Sequence, residues 1–466
     1  MVELPILYET PAQIPQQRLR YAQRLEALAV DAADPEVAQA LAAAVGASQP
    51  FLLPYQGECD RSLQATYGTL VARLLQPGTP PLVSPQASVA AHARPTQAAI
   101  RAEKIRVGIV SGYFCEHTIW RLMLKGWLSQ FDRSRFSVHA YHTAMIEDDQ
   151  TALARGLCSQ FVGGRGVNIR AAILADRPHV LLYPELGMDP LAARLAGERL
   201  AMVQCASWGQ PVTSGLPTMD FFLSSALMEP EDGATHYSER LVTLPKLGIH
   251  YTPDERGASS CSRAALGLRA DAMVVWCGQA LYKYLPQHDD VFARIAAEVG
   301  DCQFLFIGFA KSRAVTQLFQ SRLRQAFAAR GLNADRYCLF LEPMSQEDFL
   351  GTVRLADIVL DSIGWSGGKS TLDALAEAPV IVTYAGTLMR GRHTMAILMC
   401  VGITETIAAT IDDYVDIAVR LARDPKWRLR LRVKMAAGRH RAMTDKAPIR
   451  ALETFLAQAV AQRRTA

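Results

Sequence analysis

The stretch ADIVLDSIGWSGGKSTLDALAEAPVIVT, residues 356–383, carries the pattern that decides the fold. Its first six residues form an apolar run typical of a buried strand, and PVIVT at its end is typical of a second one. Between them, the glycine-rich SIGWSGG leads into KSTLDALAEA, whose apolar spacing predicts a helix. In α/β sheets, ligands bind beyond the carboxyl ends of the strands, and the free amide groups of a helix N-terminus can hold a phosphate. The stretch therefore predicts an α/β fold with a phosphate site in this loop.

The same loop is similar to the phosphate loop of ATPases and GTPases, because its glycines run into Lys369-Ser370-Thr371. That loop has four residues between its two key glycines, whereas Gly364 and Gly368 are separated by only three. A P-loop also follows the first strand of its domain, and this loop follows the fourth β-rich run of its series. A nucleotide diphosphate bound between two Rossmann-like domains explains the position better, and a P-loop-like NTPase is the less favoured alternative.

Two series of short apolar runs, the second of which ends in this stretch, alternate with helical segments. Such runs are typical of parallel sheets that are covered by helices on both faces. We therefore predict two Rossmann-like domains facing each other across a cleft, the first over residues 104–252 and the second over residues 253–466 with the C-terminal helices. The runs are IRVGIVSG, FSVHAYHT, HVLLYPE, AMVQCASWG, DFFLSSALM and ERLVTLP in the first series, and MVVWCGQ, CQFLFIG, YCLFLE, DIVLDS and PVIVT in the second.

The residues before the first series differ from it in their apolar spacing and composition. Residues 1–76 show apolar spacing near 3.6, which predicts a small all-helical domain interrupted by a turn at FLLPYQG. Residues 77–103 are rich in Pro and Ala, which is typical of a linker or of a segment that lies on the surface. The sequence thus predicts a helical domain and two Rossmann-like domains in this order.

The composition of the 466 residues, half of them hydrophobic and a fifth charged, is that of a globular protein with two or three domains. A net charge of +4 argues against a dedicated nucleic-acid binder, and no apolar run approaches the ~20 residues of a membrane span. Nine cysteines without a C-x-x-C pair fit a reducing cytoplasm, where we expect the protein to be located. Neither an Asp-x-Asp motif nor a metal-ligand spacing of cysteines and histidines is present, so no metal ion is expected.

Six separated segments occur in the same order as in the O-linked N-acetylglucosamine transferases and their bacterial relatives, some of which glucosylate asparagine. This family is glycosyltransferase family 41, and the chain resembles it over about residues 104–445. Six motifs in series are far more specific than one. The segments are RVGIVSGYFCEHTIWRLM, HVLLYPELGMDP, QCASWGQPVTSGLPTMDF, CGQALYKYLP, LADIVLDSIGWSGGKSTLDAL and VTYAGTLMRGRHT.

The resemblance implies a GT-B fold, in which the second Rossmann-like domain holds a UDP-sugar and the acceptor enters through the cleft. It also implies an inverting transferase that needs no metal ion or other cofactor. Such an enzyme would move GlcNAc or glucose from UDP-GlcNAc or UDP-glucose to a polypeptide, on Ser or Thr side chains or on Asn. A GT-B transferase that acts on a non-protein glycan is the main alternative function.

Three residues match catalytic positions of the family. Lys283, in QALYKYLP, matches a lysine that contacts the nucleotide phosphates, where a cation would stabilise the charge of the leaving diphosphate. His117, in FCEHTIW, matches a histidine beside the donor sugar and the acceptor, where a neutral imidazole accepts a proton or orients a hydroxyl group. His179, in DRPHVLLYPE, also matches a family histidine, although its place at a strand start equally suits a buried structural residue.

Eight further residues are expected to bind the UDP-sugar. The glycines let the backbone approach the diphosphate, and the hydroxyl groups and amides that follow donate hydrogen bonds to it. The acid in this helix matches the family residue that binds the ribose, and the phenylalanine falls where the family contacts uracil. The eight are Gln279, Phe349, Gly367, Gly368, Lys369, Ser370, Thr371 and Asp373.

Two cationic side chains near this loop have more than one interpretation. Lys369 stands where the family usually has an uncharged polar residue, so that it either adds a charge to the diphosphate or points into solvent. Arg390, in GTLMRGR, is expected to border the diphosphate.

Overall fold

A computed structural model describes residues 3–75, 103–253, 257, 259–377 and 379–465. All but the last residue of the predicted linker, residues 77–103, lie outside these ranges. The described residues form two parallel sheets with helices in their connections, together with a group of helices at the N-terminus.

The first sheet is built mostly from strands whose apolar runs were visible in the sequence. Its central strands are buried along their whole length, because helices cover both faces of a parallel sheet. The strands are β1 (Ile105–Ser111), β2 (Phe136–His142), β3 (Gln160–Val162), β4 (Val180–Tyr183), β5 (Val203–Ser207), β6 (Phe221–Ser225) and β7 (Arg240–Leu244). They lie in the order β3-β2-β1-β4-β5-β6-β7, and every neighbouring pair is parallel.

The second sheet repeats this arrangement with one strand fewer. Its strands are β8 (Met273–Cys277), β9 (Cys302–Ile307), β10 (Cys338–Leu341), β11 (Ile358–Leu360), β12 (Val380–Tyr384) and β13 (Ile407–Ala408). They are parallel and lie in the order β10-β9-β8-β11-β12-β13. In both sheets the strand order reverses beside the first strand, β1 or β8, where such sheets open a ligand crevice at their carboxyl ends.

The helices are described in chain order. In the N-terminal part they are α1 (Gln13–Asp31), α2 (Pro35–Ala44) and α3 (Arg61–Leu75). The connections between strands of the first sheet contain α4 (Lys125–Gln130), α5 (Asp149–Leu157), α6 (Ile169–Asp176) and α7 (Pro190–Ala196). A π-helical turn at Trp120–Leu124 directly precedes α4. The second half contains α8 (Asp290–Val299), α9 (Arg313–Ala328), α10 (Ala334–Tyr337), α11 (Gln346–Arg354), α12 (Lys369–Glu377), α13 (His393–Val401), α14 (Ile411–Arg423), α15 (Pro425–Gly438) and α16 (Ala447–Thr465). No helix within the described ranges is both long and apolar enough to cross a lipid bilayer.

The two sheets face each other through residues that follow their strands. Trp208, directly after β5, has its ring 5.4 Å from the ring of His393, which begins α13. Arg392 donates a hydrogen bond to the carbonyl of Met228, which follows β6, at 2.9 Å. These contacts place the carboxyl ends of the two sheets on opposite walls of one cleft.

The last helix, α16, returns to the first sheet. Its Phe455 packs edge-on against Phe221 of β6 with the ring centroids 4.9 Å apart. Arg463 forms an ion pair of 2.6 Å with Asp220, and Glu453 accepts a hydrogen bond from the amide of Asp132. The helix therefore belongs to the first sheet in space although it follows the second in sequence.

Candidate functional site

The loop between β11 and α12 is fixed by the carboxylate of Asp361. One oxygen of this buried side chain accepts the amide hydrogen of Gly367 at 2.7 Å, and the other accepts the hydroxyl of Thr383 at 2.8 Å. Burial raises the pKa of Asp361 from 3.8 to about 6, against the effect of these hydrogen bonds. Asp361 thus holds the glycine turn against the sheet at the carboxyl end of β11.

Gly367 is required by crowding rather than by its backbone angles. A Cβ atom at this position would lie 2.5 Å from the hydroxyl of Thr371 and 2.7 Å from both Gln279 Nε2 and Ser370 Oγ. At Gly368 the nearest atom to a Cβ would be a methyl group of Leu122, 3.6 Å away on the first domain. The first glycine therefore lets three polar side chains converge on the turn, and the second faces the opposite wall of the cleft.

Lys283 and Gln279 reach this turn from the loop after β8. The Lys283 ammonium group donates to Gln279 Oε1 at 2.8 Å, and Gln279 Nε2 donates to Ser370 Oγ at 2.8 Å. Burial lowers the pKa of Lys283 from 10.5 to about 8, although the Asp361 carboxylate opposes the shift. A half-buried cation, an amide side chain and the first turn of α12 thus form one hydrogen-bonded group.

The side chain of Thr371 bonds to two neighbouring groups of the protein. Its hydroxyl is buried and lies 3.0 Å from the carbonyl of Gly367 and 2.8 Å from the hydroxyl of Thr394. These bonds tie α12 to α13. The Thr371 hydroxyl is thus engaged within the protein, and the half-buried Ser370 carries the hydroxyl group that bonds to Gln279 at the turn.

Lys369 neither points into solvent nor joins Lys283. Its ammonium group lies 2.6 Å from Asp373 Oδ2, one helical turn later, and both side chains are buried. Asp373 also accepts hydrogen bonds from Gln346 Nε2 at 3.0 Å and from the hydroxyl of Tyr251 at 3.3 Å. Of the two roles left open for Lys369, pointing into solvent is contradicted by its burial. Its charge is paired with the carboxylate that was expected to bind ribose.

Phe349 lies near this carboxylate. It is on α11 one turn after Gln346, which binds Asp373, and it packs edge-on against Trp276 of β8 with the ring centroids 5.3 Å apart. The ring remains half-buried. A contact between Phe349 and uracil stays a prediction, in a place next to the predicted ribose residue.

His117 lies on the opposite wall, beyond the carboxyl end of β1. Its ring stacks on Tyr113 with the centroids 4.0 Å apart, and its Nδ1 accepts the amide hydrogen of Ile119 at 3.2 Å. Burial lowers its pKa from 6.5 to about 4, so the ring is neutral at pH 7. Because Nδ1 accepts a hydrogen bond, the single proton of the neutral ring is on Nε2. In this orientation the free side of His117 donates a hydrogen bond rather than removing a proton.

His179 is not part of this site. It precedes β4 and therefore lies at the amino edge of the first sheet, away from the cleft. Its Nδ1 accepts the amide hydrogen of Arg106 at 3.0 Å, and its Nε2 lies 2.8 Å from the guanidinium group of Arg464 in α16. Burial and these two arginines lower its pKa to about 4. The structure does not bring His179 together with the other predicted site residues, and the residue joins the last helix to the first sheet.

Two residues of the site were missed. Asp361 is the first residue after β11, a position from which polar side chains of α/β sheets reach ligands, so this signal was present in the sequence. His393 is buried, and its pKa is lowered to about 3 by burial and by the charge of Lys283. The sequence contained this histidine in the GRHT motif, but only the fold places it near Lys283.

Arg390 is turned away from the expected place. Its guanidinium group lies 3.0 Å from Asp60 Oδ2 and also donates to the carbonyl of Glu58, both in the N-terminal part of the chain.

Within the described ranges, no three His, Cys, Asp or Glu residues are grouped so that they could hold a metal ion.

Comparisons with known proteins agree with this fold. The model of glycosyl transferase family 41 matches residues 87–256 and 252–446. A probable UDP-N-acetylglucosamine–peptide N-acetylglucosaminyltransferase, SPINDLY, from Arabidopsis thaliana is 26% identical over 356 residues, which are 71% of this chain and 37% of the relative. A UDP-glucose:protein N-beta-glucosyltransferase from Actinobacillus pleuropneumoniae is 23% identical over 269 residues, 57% of this chain and 41% of that protein. The chain thus spans less than half the length of these relatives.

The likeness extends to three dimensions. The structure of a mutant O-GlcNAc transferase from Thermobaculum terrenum superposes with a TM-score of 0.71 at 22% identity, and the match covers 96% of this chain and 88% of that one. The predicted α/β class and GT-B fold are confirmed by this match and by the two parallel sheets. With most of its length matched by the family model, the chain belongs to glycosyl transferase family 41.

Proposed function

We propose that this protein is an inverting transferase that moves GlcNAc or glucose from a UDP-sugar to Ser, Thr or Asn side chains of a polypeptide. The observation that carries the proposal is the hydrogen-bonded group of Lys283, Gln279 and Ser370 on the glycine turn of α12. The names of the relatives support the substrate classes, since they describe transfer from a UDP-sugar to peptide or protein.

The arrangement suits stabilisation of a leaving diphosphate. As the acceptor attacks the anomeric carbon from the face opposite UDP, the bond from this carbon to the β-phosphate oxygen breaks, and negative charge builds on that phosphate. The proton of the acceptor passes to water or to the departing diphosphate. The Lys283 ammonium group and the amides at the start of α12 stabilise this charge. His117, on the other wall, donates from Nε2 to an oxygen of the sugar, the phosphate or the acceptor.

Two further features belong to the proposal. Lys283 takes the role that a bound cation has in metal-dependent sugar transferases, so the reaction needs no metal ion. The nine cysteines are free thiols, which supports a location in the reducing cytoplasm.

The test is binding followed by transfer, both in the presence of EDTA. UDP at about 100 times its dissociation constant should stabilise the protein by about 2.7 kcal/mol. UDP-GlcNAc and UDP-glucose are then offered with a polypeptide library, and the product is read by mass spectrometry. Lys283→Ala should lower the rate by about 10²-fold or more, and the matched control Lys426→Ala, an exposed lysine on α15, should not.

The alternatives give different results. Stabilisation by Mg-ATP and not by UDP would indicate an NTPase and contradict the proposal. Transfer to free glycans but to no polypeptide would agree with the proposed donor site and contradict the proposed polypeptide acceptor. Activity that disappears with EDTA and returns with a divalent metal would overturn metal independence.

A further inference from the structure

We propose that the N-terminal region, residues 3–75, is a working part of the donor site, in which Tyr55 and Asp60 are positioning residues for the phosphate-binding loops. The inference rests on the proposed UDP-sugar site. The donor loops are residues 279–285, which carry Gln279 and Lys283, residues 361–368, which carry the glycine turn, and residues 385–392 before α13. Each of these loops contacts the N-terminal region.

Tyr55 joins two donor loops through its ring. It stacks on Trp365 with the centroids 3.9 Å apart and an angle of 17° between the planes. It also meets Tyr282 edge-on at 4.6 Å. Trp365 is two residues before Gly367, and Tyr282 directly precedes Lys283. One buried aromatic ring therefore sets the distance between the glycine turn and the cation that converge on the phosphate site.

Asp60 reaches the third loop through an ion pair without solvent exposure. Its two carboxylate oxygens bind Arg18 at 2.8 Å and Arg390 at 3.0 Å, and its side chain has no accessible surface. The carbonyl of Arg390 in turn accepts the amide hydrogen of Ser366 at 2.8 Å, directly before Gly367. The hydroxyl of Ser366 accepts the amide hydrogen of His393 at 2.8 Å. Asp60 is thus connected to the glycine turn through its ion pair with Arg390 and the hydrogen bond between Arg390 and Ser366.

Arg322 connects the N-terminal region to the loop that carries Lys283. Arg322 donates to the carbonyl of Tyr8 and to the carbonyl of Tyr284, both at 2.9 Å, while its charge is paired with Asp289. Tyr8, Asp289 and Arg322 are buried, so this contact packs the N-terminal region directly against the loop that carries Lys283.

Displacement of the loops that Tyr55 and Asp60 hold should affect binding of the diphosphate specifically. A displacement of about 1 Å of a binding group can cost up to about 10²-fold in rate. The groups held by Tyr55 and Asp60 are those at the phosphate site, whereas Asp373 and Phe349 at the predicted nucleoside end are held by α11 and Tyr251. Loosening the N-terminal contacts should therefore weaken binding of the phosphates and leave binding of the nucleoside unchanged.

The experiment compares dissociation constants for UDP and for uridine in Asp60→Asn and Tyr55→Leu. We expect UDP to bind about tenfold more weakly in both variants, with uridine changed less than twofold, and Asp60→Glu to recover part of the loss. Arg18→Ala is the matched control, because it removes the other ion pair of Asp60 but leaves the bond to Arg390. It should affect thermal stability without a selective loss of UDP.

The outcomes separate this inference from the proposed function. Wild-type protein that binds no UDP would contradict the function itself. Wild-type binding with unchanged UDP affinity in folded variants, or an equal loss of UDP and uridine, would overturn the positioning role. If Asp60→Asn does not unfold cooperatively, Tyr55→Leu, which keeps an apolar side chain in the buried position, decides the question alone.

Discussion

Lys283 is a cation in a place that disfavours its charge. With a pKa lowered to about 8 by burial, it is protonated at pH 7 but largely neutral at pH 9 in the free protein. A bound diphosphate favours the charged form and raises this pKa, so binding is coupled to proton uptake above pH 8. We expect the dissociation constant of UDP to rise about tenfold between pH 7.5 and pH 9. Titration calorimetry in buffers of different ionisation enthalpy would measure both the affinity and the proton uptake.

The variant Lys283→Ala is the control for this pH dependence. It should bind UDP more weakly at pH 7.5 and lose the change between pH 7.5 and pH 9. The same pH dependence in the variant would show that another group titrates and would contradict the role of Lys283.

At this scale the sequence predicted which residues gather but not all of their roles. Lys283, Gln279, Ser370 and the glycines do meet at one turn, because the carboxyl ends of β8 and β11 are neighbours in the sheet. Lys369 carries the same charge as Lys283, and its partner depends on an acid four residues later that becomes buried with it. Burial and hydrogen-bond partners of this kind are decided by tertiary packing, which a motif does not contain.

The turn between β11 and α12 is the element on which the site depends. We expect Gly367→Ala to displace the side chains of Gln279, Ser370 and Thr371, since the added methyl group would overlap all three. Overpacking of this kind costs about 1–3 kcal/mol, and UDP affinity should fall with it. Thermal unfolding and UDP titration of the variant would measure the two effects.

The matched control is Gly156→Ala on α5, where a Cβ atom meets nothing within 4 Å. Alanine is favoured over glycine in a helix, so this variant should be as stable as the wild type or more so. If Gly367→Ala behaved in the same way, the crowding at the turn would not matter for the protein.

Among the elements, strands within marked apolar runs were predicted, and two short strands without such a run were not. Each of the eleven β-rich runs named from the sequence contains a strand, while β3 and β13, with three and two residues, had no signal of their own. Such strands are held by pairing with β2 and β12 rather than by their own sequence. The turn expected at FLLPYQG contains a 3₁₀-helix at Leu53–Gln56, which brings Tyr55 to the donor loops.

At the scale of the whole molecule, the last helix stabilises the first sheet. Leu456 of α16 is fully buried, and the helix packs against β5 and β7. We expect Leu456→Ala to lower the free energy of unfolding by about 2–5 kcal/mol, because it leaves a cavity in this contact. Urea unfolding followed by tryptophan fluorescence would report the change.

Leu429→Ala on α15 serves as its control, since Leu429 is 60% exposed and its loss should change stability by less than about 0.5 kcal/mol. Equal effects of the two substitutions would mean that α16 contributes no more than an exposed helix.

The contacts between distant elements were the part that the sequence left open. Composition and run order predicted two Rossmann-like domains and a helical N-terminus. Contacts such as Phe455 with Phe221, or Tyr55 with Trp365, join residues far apart in the chain. Periodicity describes one element at a time, so it contains no information about which distant elements touch.

The path of α16 also has a consequence for how the protein is made. A ribosome synthesises residues 447–465 after the entire second sheet, yet these residues cover β5 and β7 of the first. The first domain therefore cannot be completed as it emerges, and its uncovered apolar side chains are exposed in the nascent chain until the last helix leaves the exit tunnel. For this protein, the domain that is synthesised first is therefore the one that is completed last.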